Sequence, residues 1–426
     1  MLPEGWRTST IGAEAKFISG GTPSKENSSF WGGAFPWVSA RDMKSLYLRS
    51  TQLGLTEAGR AASAVAPANA VLVLTRGMTL LKDLPVCLLE TEMGFNQDIK
   101  ALLPKSSLDP KFLAYQLLAR KNEILDLVDT AGHGTGRLDT ELLKDIAIAV
   151  PPAGEQVRIA DVLFTWDRAI SKAEQLLANR RMQWQGLLAS CLCLAAANPD
   201  ASSAADNGGF PPSVQPGIPN LPPTPTGWHR TALGSHLTEV RRPARMNPNE
   251  PYRLVTVKRS RGGVALRETL TGREIKTPTQ FFVRTGDFLI SKRQIVHGAC
   301  GIVPAELDGA IVSNEYAVLN SDGQIDLRFL RYLSESRYFQ QTCFHSSIGV
   351  HVEKMIFKTE RWLKWPFNIP PLATQLRIVE VLDTARREVE LIAAQIEKLQ
   401  QERTALMAEL LTGKRRVRFP AAETAT

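Results

Sequence analysis

The sequence predicts an α+β chain in which two α/β domains are separated by two long helices able to pair as a coiled coil. Three observations predict it. First, a passage is duplicated: residues 151–163 read PPAGEQVRIADVL and residues 370–382 read PPLATQLRIVEVL, identical at seven of thirteen positions. Second, each copy opens a stretch whose apolar residues recur at alternating steps of four and three. Third, each stretch is preceded by short β-like runs punctuated by turn residues. An internal repeat means that one structural unit is used twice.

The duplication reaches beyond the helices. Gly5-Trp6 before Ile11-Gly12 recurs as Gly227-Trp228 before Leu233-Gly234. Asp109 with Phe112, Leu113 and Tyr115 recurs as Asp326 with Phe329, Leu330 and Tyr332. Between these anchors the sequences diverge, so the frame repeats and the filling does not.

In chain order, residues 1–150 form a first domain. Its β-like runs include Pro36-Trp37-Val38 and Val71-Leu72-Val73-Leu74, broken by Gly20-Gly21-Thr22-Pro23 and Gly32-Gly33. A helix over Pro110 to Asp129 closes it. Residues 151–197 form a central helical region. Its expected seam runs through Ile159, Leu163, Trp166, Ile170, Ala173, Leu177, Arg180, Trp184, Leu187 and Cys191, apolar at nine of ten positions, as the a and d sites of a coiled coil require. Residues 198–226 hold eight prolines and three glycines and read as an extended, poorly folded linker. Residues 227–369 form a second domain. Residues 370–413 form the distal helical region, with a seam of Ile378, Leu382, Ala385, Val389, Ile392, Ile396, Leu399, Arg403, Leu406 and Leu410. Each stripe needs a cover, and each helix is the obvious partner of the other. A basic tail, 414–426, follows the helix stop at Gly413.

Length and composition bound the function. At 426 residues, 43% hydrophobic and 22% charged, the chain is an ordinary globular protein of two to four domains. No apolar run approaches the roughly 20 residues that span a bilayer, and the N-terminal residues lack a signal-peptide core, so no membrane partner and a cytoplasmic location are expected. The five cysteines include no C-x-x-C pair, so neither a disulfide framework nor a metal site is expected, and Cys191 and Cys193 read as small apolar residues at a helix end. The net charge of +8 is concentrated: residues 224–370 carry 21 Lys and Arg against 13 Asp and Glu, whereas residues 1–150 carry 16 of each. Positive charge gathered on one domain is the usual footprint of a polyanion, although a solvated basic surface gives the same count.

No catalytic constellation is legible. Gly132-His133-Gly134-Thr135-Gly136 has the glycines of a phosphate cradle, but it follows what reads as a helix end, where a cofactor loop should leave a strand and open a helix. Asn247-Pro248 and Pro251-Tyr252 are interrupted as an adenine-methyltransferase motif. Binding is therefore the expected activity, with no catalytic residue and no cofactor bound by this chain. Base edges and phosphates are read by Arg, Lys, Asn, Gln, Ser and Thr. Such residues follow strand-like runs at matched places. In the second domain they are Lys258, Arg259 and Arg261; Ser291, Lys292, Arg293 and Gln294; and Ser346, Ser347 and His351. In the first they are Thr22, Ser39 and Arg41; Thr75 and Arg76; and His133, Thr135 and Arg137. Any one of them taken singly reads equally well as a solvated loop residue.

These residues resemble the specificity subunit of type I restriction–modification systems over nearly the full length. The resemblance is carried by Gly5-Trp6, Ser19-Gly20-Gly21-Thr22-Pro23, Phe30-Trp31-Gly32-Gly33, Pro36-Trp37-Val38, Asp42, Asn96-Gln97, Pro151-Pro152, Glu155-Gln156 and Ile159. In the second half it is carried by Gly227-Trp228, Pro370-Pro371, Gln375, Ile378, Leu382 and the ending Leu410-Leu411-Thr412-Gly413-Lys414. The resemblance implies two target recognition domains separated by two helices in an antiparallel coiled coil. Each domain would read one half of a split, asymmetric stretch of double-stranded DNA. The helices would dock two methyltransferase (M) subunits, which bind S-adenosylmethionine, and restriction/translocase (R) subunits can join. The chain itself would be non-catalytic. The second domain departs from the pattern in lacking the Gly-Thr-Pro and Trp-Gly-Gly run, so the two half-targets should differ. Two other classes compete: a self-contained methyltransferase or nuclease, and a coiled-coil adapter that does not bind DNA.

Overall fold

A computed structural model describes residues 2–131, 134–193 and 210–417. The chain divides into two compact units, Met1–Gln175 with Ala393–Thr426, and Leu176–Ile392.

In the first unit the strand Arg7–Thr10 pairs antiparallel with Ala147–Val150, Arg7 opposite Val150. Between them lies a five-stranded sheet in the order Ala15–Ser19, Ile99–Pro104, Val71–Leu74, Val86–Leu89, Tyr47–Leu48. Its central strands are covered on both faces, which is why Val71–Leu74 is apolar throughout rather than alternating. A four-stranded sheet runs Leu53–Leu55, Trp31–Val38, Met93–Phe95, Val65–Ala66, with the middle pair parallel.

The second unit repeats this topology without a counterpart of the edge strand Tyr47–Leu48 in its sheet. His229–Ala232 pairs antiparallel with Pro366–Ile369. One sheet runs Leu237–Glu239, Tyr316–Ser321, Phe288–Ser291, Cys300–Ile302; the other runs Val264–Thr271, Pro251–Val257, Ile311–Ser313, Gln280–Phe282, again with its middle pair parallel. The sequence between the anchors diverges, yet the strand order is kept.

The duplicated residues sit where each unit grips its long helix. Both long helices have 39 residues, Ala153–Cys191 and Leu372–Leu410, and each follows a Pro pair. In the first unit, buried Gln156 accepts the backbone N–H of Asp109 at 2.7 Å and donates to the carbonyls of Ser107 and Pro151, both at 2.9 Å. In the second, buried Gln375 accepts the N–H of Asp326 at 2.8 Å and donates to the carbonyls of Gln324 and Pro370. Asp109 and Asp326 cap the helices Pro110–Ala119 and Leu327–Leu333 through their side chains. Tyr115 donates to Asp167, and Tyr332 donates to Asp383. Gly5 and Gly227 both adopt positive φ, +81° and +80°, in the turn that presents Trp6 and Trp228. The repeat is thus a mechanical joint written twice.

Within the first unit Asp167 pairs with Arg403 at 2.7 Å and Glu174 with Gln400 at 3.3 Å, so the helix segments run antiparallel. Within the second, Arg180 pairs with Glu388 at 3.1 Å. Of the expected seam residues, Ile159, Leu163, Ile170, Ile378, Leu382 and Ile396 are buried. Trp166, Leu177, Val389, Ile392 and Leu399 are half-buried, because one neighbouring helix covers only part of a helix's circumference. Near Cys191 the buried row shifts by one: Leu188 and Leu192 enter the second unit's core, whereas Leu187 is exposed.

Three expectations are corrected. The helix expected over Pro110 to Asp129 is a helix to Ala119, a second helix Lys121–Leu125, and then a strand Val128–Ala131. β-branched Val128 and Thr130 favour the strand. The described part of the Pro-rich segment, residues 210–226, is no free tether but is laid onto the second unit. Val214 is buried, the Phe210 ring packs edge-on against Phe344, and Asn368 donates to the carbonyls of Pro222 and Pro223. Prolines exclude regular structure there, yet their carbonyls still find donors. The rest of that segment lies outside the described residues. The basic tail is anchored as far as residue 417: Arg416 pairs with buried Glu155 at 2.8 Å, and Glu155 also accepts from Trp6 Nε1 at 3.1 Å. No described helix is long and apolar enough to cross a membrane.

Candidate nucleic-acid interface

The described residues expected to read DNA lie in or close to strands in both units. In the first, Thr22, Ser39 and Arg41 line a cleft of about 420 Å³ together with Lys25, Gln52, Asn96, Gln97 and Asp98. An adjoining cleft of about 390 Å³ is lined by Thr75, Arg76 and Arg137 with Lys100, and it shares Gln97 and Asp98. Thr22, Ser39, Arg41, Arg76 and Arg137 therefore converge on one polar surface, with Thr75 buried beneath it. Thr135 lies in the adjoining strand opposite Ala131, half-buried. His133 lies outside the described residues.

The hydroxyls in this group are positioning devices. Thr22 donates to Gln97 Oε1, Ser39 to Asp42 Oδ2 at 2.7 Å, and Thr75 to the Asp98 carbonyl at 3.0 Å. The cations differ. Lys25, Arg41, Arg76 and Arg137 are exposed, and among the described residues none of their side chains has an ion-pair or hydrogen-bond partner. Arg76 and Arg137 are directly opposed on paired strands. Like charges in that position destabilise a sheet, and an anion laid across them would relieve the repulsion.

In the second unit the matched loops are tied to one another. The turn after Pro251–Val257 holds Ser260 and Arg261 at φ +53° and +56°, a left-handed conformation uncommon for residues with a Cβ. Their N–H groups donate to the carbonyls of His297 and Gly298, both at 2.8 Å. Arg259 donates to Gln294 at 2.7 Å and pairs with Glu353 at 2.8 Å. Arg261 pairs with Glu335 at 2.7 Å, Lys292 with Glu239 at 3.0 Å, and Arg293 with Glu315. Burial holds the Glu335 carboxyl above its ordinary value despite Arg261, and burial with the Arg259 charge depresses the His297 imidazole. Lys258 and His351 are exposed, and the Lys258 side chain has no polar partner among the described residues. The charge excess of this region is thus largely spoken for at the very loops expected to use it.

Four expected readers are corrected. Thr75, Ser291, Ser346 and Ser347 are buried. Ser347 donates to the Cys343 carbonyl, and Ser346 accepts from Trp365 Nε1. A small hydroxyl after a strand looks identical in sequence whether it turns inward or outward. Reasoning from loops also missed Asp98 and Lys100, and left Gln97 out of the candidate set although it follows the strand Met93–Phe95. Its topological counterpart, Glu315, follows Ile311–Ser313 in the second unit.

Comparison with known proteins adds the following. Residues 3–179 match the family described as Type I restriction modification DNA specificity domain. The specificity subunit of the type I restriction enzyme EcoR124I/EcoR124II from Escherichia coli is 32% identical over 165 residues, covering 38% of this chain and 40% of that protein. The MjaIX specificity subunit from Methanocaldococcus jannaschii is 25% identical over 180 residues, covering 41% of this chain and 40% of that protein. The aligned stretch thus spans about two fifths of the length of each of these curated relatives. In fold, the chain is similar to the S subunit of the M. genitalium type I restriction–modification system, with a TM-score of 0.57, 13% identity and 96% of both chains covered.

Proposed function

Residues 3–179 match the type I restriction modification DNA specificity family, and on that match we propose that this chain is the DNA-reading subunit of such a system, recognising a bipartite asymmetric duplex target. Residues 1–150 and 227–369 each read one half of it. The observation that carries this reading is the polar surface of the first unit, where Arg76 and Arg137 stand opposed, without side-chain partners among the described residues, beside the Gln97 and Asp98 edge. Phosphates neutralise such cations, and Gln side chains can pair with adenine edges. The chain contributes address rather than chemistry. Two M subunits dock on the helical region, and they hold the S-adenosylmethionine and methylate adenine; R subunits can join. Docking is supported by apolar side chains left exposed on the long helices, among them Leu176, Met182, Leu376 and Leu391. A cytoplasmic location follows from a chromosomal substrate.

The test is methylation of a random plasmid library by this chain assembled with its methyltransferase partner, followed by mapping of modified adenines. A two-part interrupted motif is expected, together with no modification by the chain alone. Modified sites without a two-part motif would overturn the reading. Lys258→Glu separates it from the adapter alternative: a DNA reader loses affinity with assembly intact, whereas an adapter loses nothing.

A further inference from the structure

We propose that the β-hairpin at residues 347–357 of the second unit reads a thymine through its 5-methyl group in the major groove of that unit's half-target, with Val350 as the contacting side chain. This rests on the DNA reading above and specifies its chemistry at one place. The hairpin pairs Ser347–Ile348 with Ile356–Phe357, Ile348 directly opposite Ile356. Both isoleucines are unusually open, 46% and 42% exposed, and Val350 at the tip is 97% exposed. Three branched aliphatic side chains held in water on one short ribbon are costly for a free chain and mark a contact surface.

The root of the ribbon is rigid. Phe357 is buried against the Trp362 ring, its N–H donates to the Lys292 carbonyl at 2.8 Å, and Ser347 is tied to Cys343. At Gly349 a Cβ would lie 2.8 Å from Met355 Cα, so the tip closes only with glycine there. The occupant follows from the surrounding charge. Lys354 and His351 are exposed beside the tip, and Lys358 follows it. The only carboxylate of the tip, Glu353, is drawn towards Arg259 and His297, at 2.8 and 3.1 Å. An apolar tip flanked by cations suits a groove walled by phosphates, and a two-stranded ribbon fits a major groove about 12 Å wide, where thymine presents the only methyl group. The corresponding hairpin of the first unit, Val128–Ala131 with Thr135–Leu138, pairs Asp129 with Arg137 and Thr130 with Gly136, a polar surface with no such tip among its described residues.

The experiment uses the complex assembled with its methyltransferase partner and a duplex carrying the mapped motif, with each thymine of the second half replaced in turn by deoxyuridine, which lacks the 5-methyl group. One replacement should weaken binding about fourfold, the value of one buried methyl. Val350→Ser should weaken binding to the unmodified duplex by a similar factor and abolish sensitivity to that replacement, with an unchanged melting temperature. Bipartite binding that no uracil replacement or Val350→Ser alters would overturn the hairpin assignment and leave the DNA reading standing. Val350→Ser that breaks assembly instead would overturn the assignment in favour of a protein contact. Absence of any sequence preference in the parent complex would remove the DNA reading itself.

Discussion

The two units share the order of four strands in each of two sheets, the first unit adding Tyr47–Leu48 at one edge, yet they treat their strand-end cations in opposite ways. In the first, Arg41, Arg76 and Arg137 stand without side-chain partners among the described residues. In the second, Arg259, Arg261, Lys292 and Arg293 are engaged by Glu353, Glu335, Glu239 and Glu315. Bulk charge points the other way, since the second region carries the whole excess. Net charge counts side chains, whereas recognition uses those whose charge is not already answered. Bare cations supply attraction that is strong, salt-sensitive and indifferent to sequence. Cations held by carboxylates are oriented, and an Arg fixed in place by a Glu presents its remaining N–H groups in one direction. One scaffold thus offers two ways of addressing a polyanion.

The largest expected effect tests whether the joint is equivalent in the two units. Gln156→Ala and Gln375→Ala each remove three hydrogen bonds at a buried position and strand their partners. Each should cost on the order of 3 kcal/mol, measured by urea denaturation of the full chain; a large cost in one unit and none in the other would mean that only one copy is mechanical. The next effect separates the units by acid. Arg7, with Ser9 and Ser107, holds the Glu14 carboxyl at about 2, whereas His236 stands at the corresponding place of the second unit. A carboxylate whose folded-state value is depressed stabilises fully above its unfolded value near 4.5 and ceases to do so as pH falls towards 2. The first unit should therefore lose stability across that window, and Glu14→Gln should flatten the loss, read by melting temperature against pH. A steep loss persisting in Glu14→Gln would assign it elsewhere. The smallest effect is on salt dependence. Replacing Arg76 and Arg137 with Ala should lower the slope of log affinity against log salt by roughly 2, at about 0.9 per phosphate contact. Arg293→Ala should move it by less than half as much, because Glu315 already neutralises that charge. Equal changes would erase the distinction between the units.

Much of this arrangement could be read from residue order. Pro151-Pro152 ahead of Gln156 and Ile159, repeated at Pro370-Pro371, Gln375 and Ile378, announced two copies of one joint, and the four-three spacing announced the long helices. The shared sheet topology was not legible, because Trp31–Val38 and Pro251–Val257 occupy one place with unrelated side chains. Strand order is set by which backbone edges meet, and this leaves little trace in residue type. The Pro-rich stretch misled for a related reason: prolines forbid helix and ladder, but do not prevent Val214 from finding an apolar seat.

For the interface, proximity to strand ends brought Thr22, Ser39, Arg41, Arg76 and Arg137 into view, but could not tell Ser346 and Ser347, which face inward, from Lys258, which faces out. The sequence by itself determined the duplicated frame and the two long helices, because periodicity and repetition are local properties of a chain. Only the tertiary structure decided which cations stay unpaired and which are taken by glutamates, because Arg259 and Glu353, or Arg293 and Glu315, become neighbours only once distant strands are brought to a common edge.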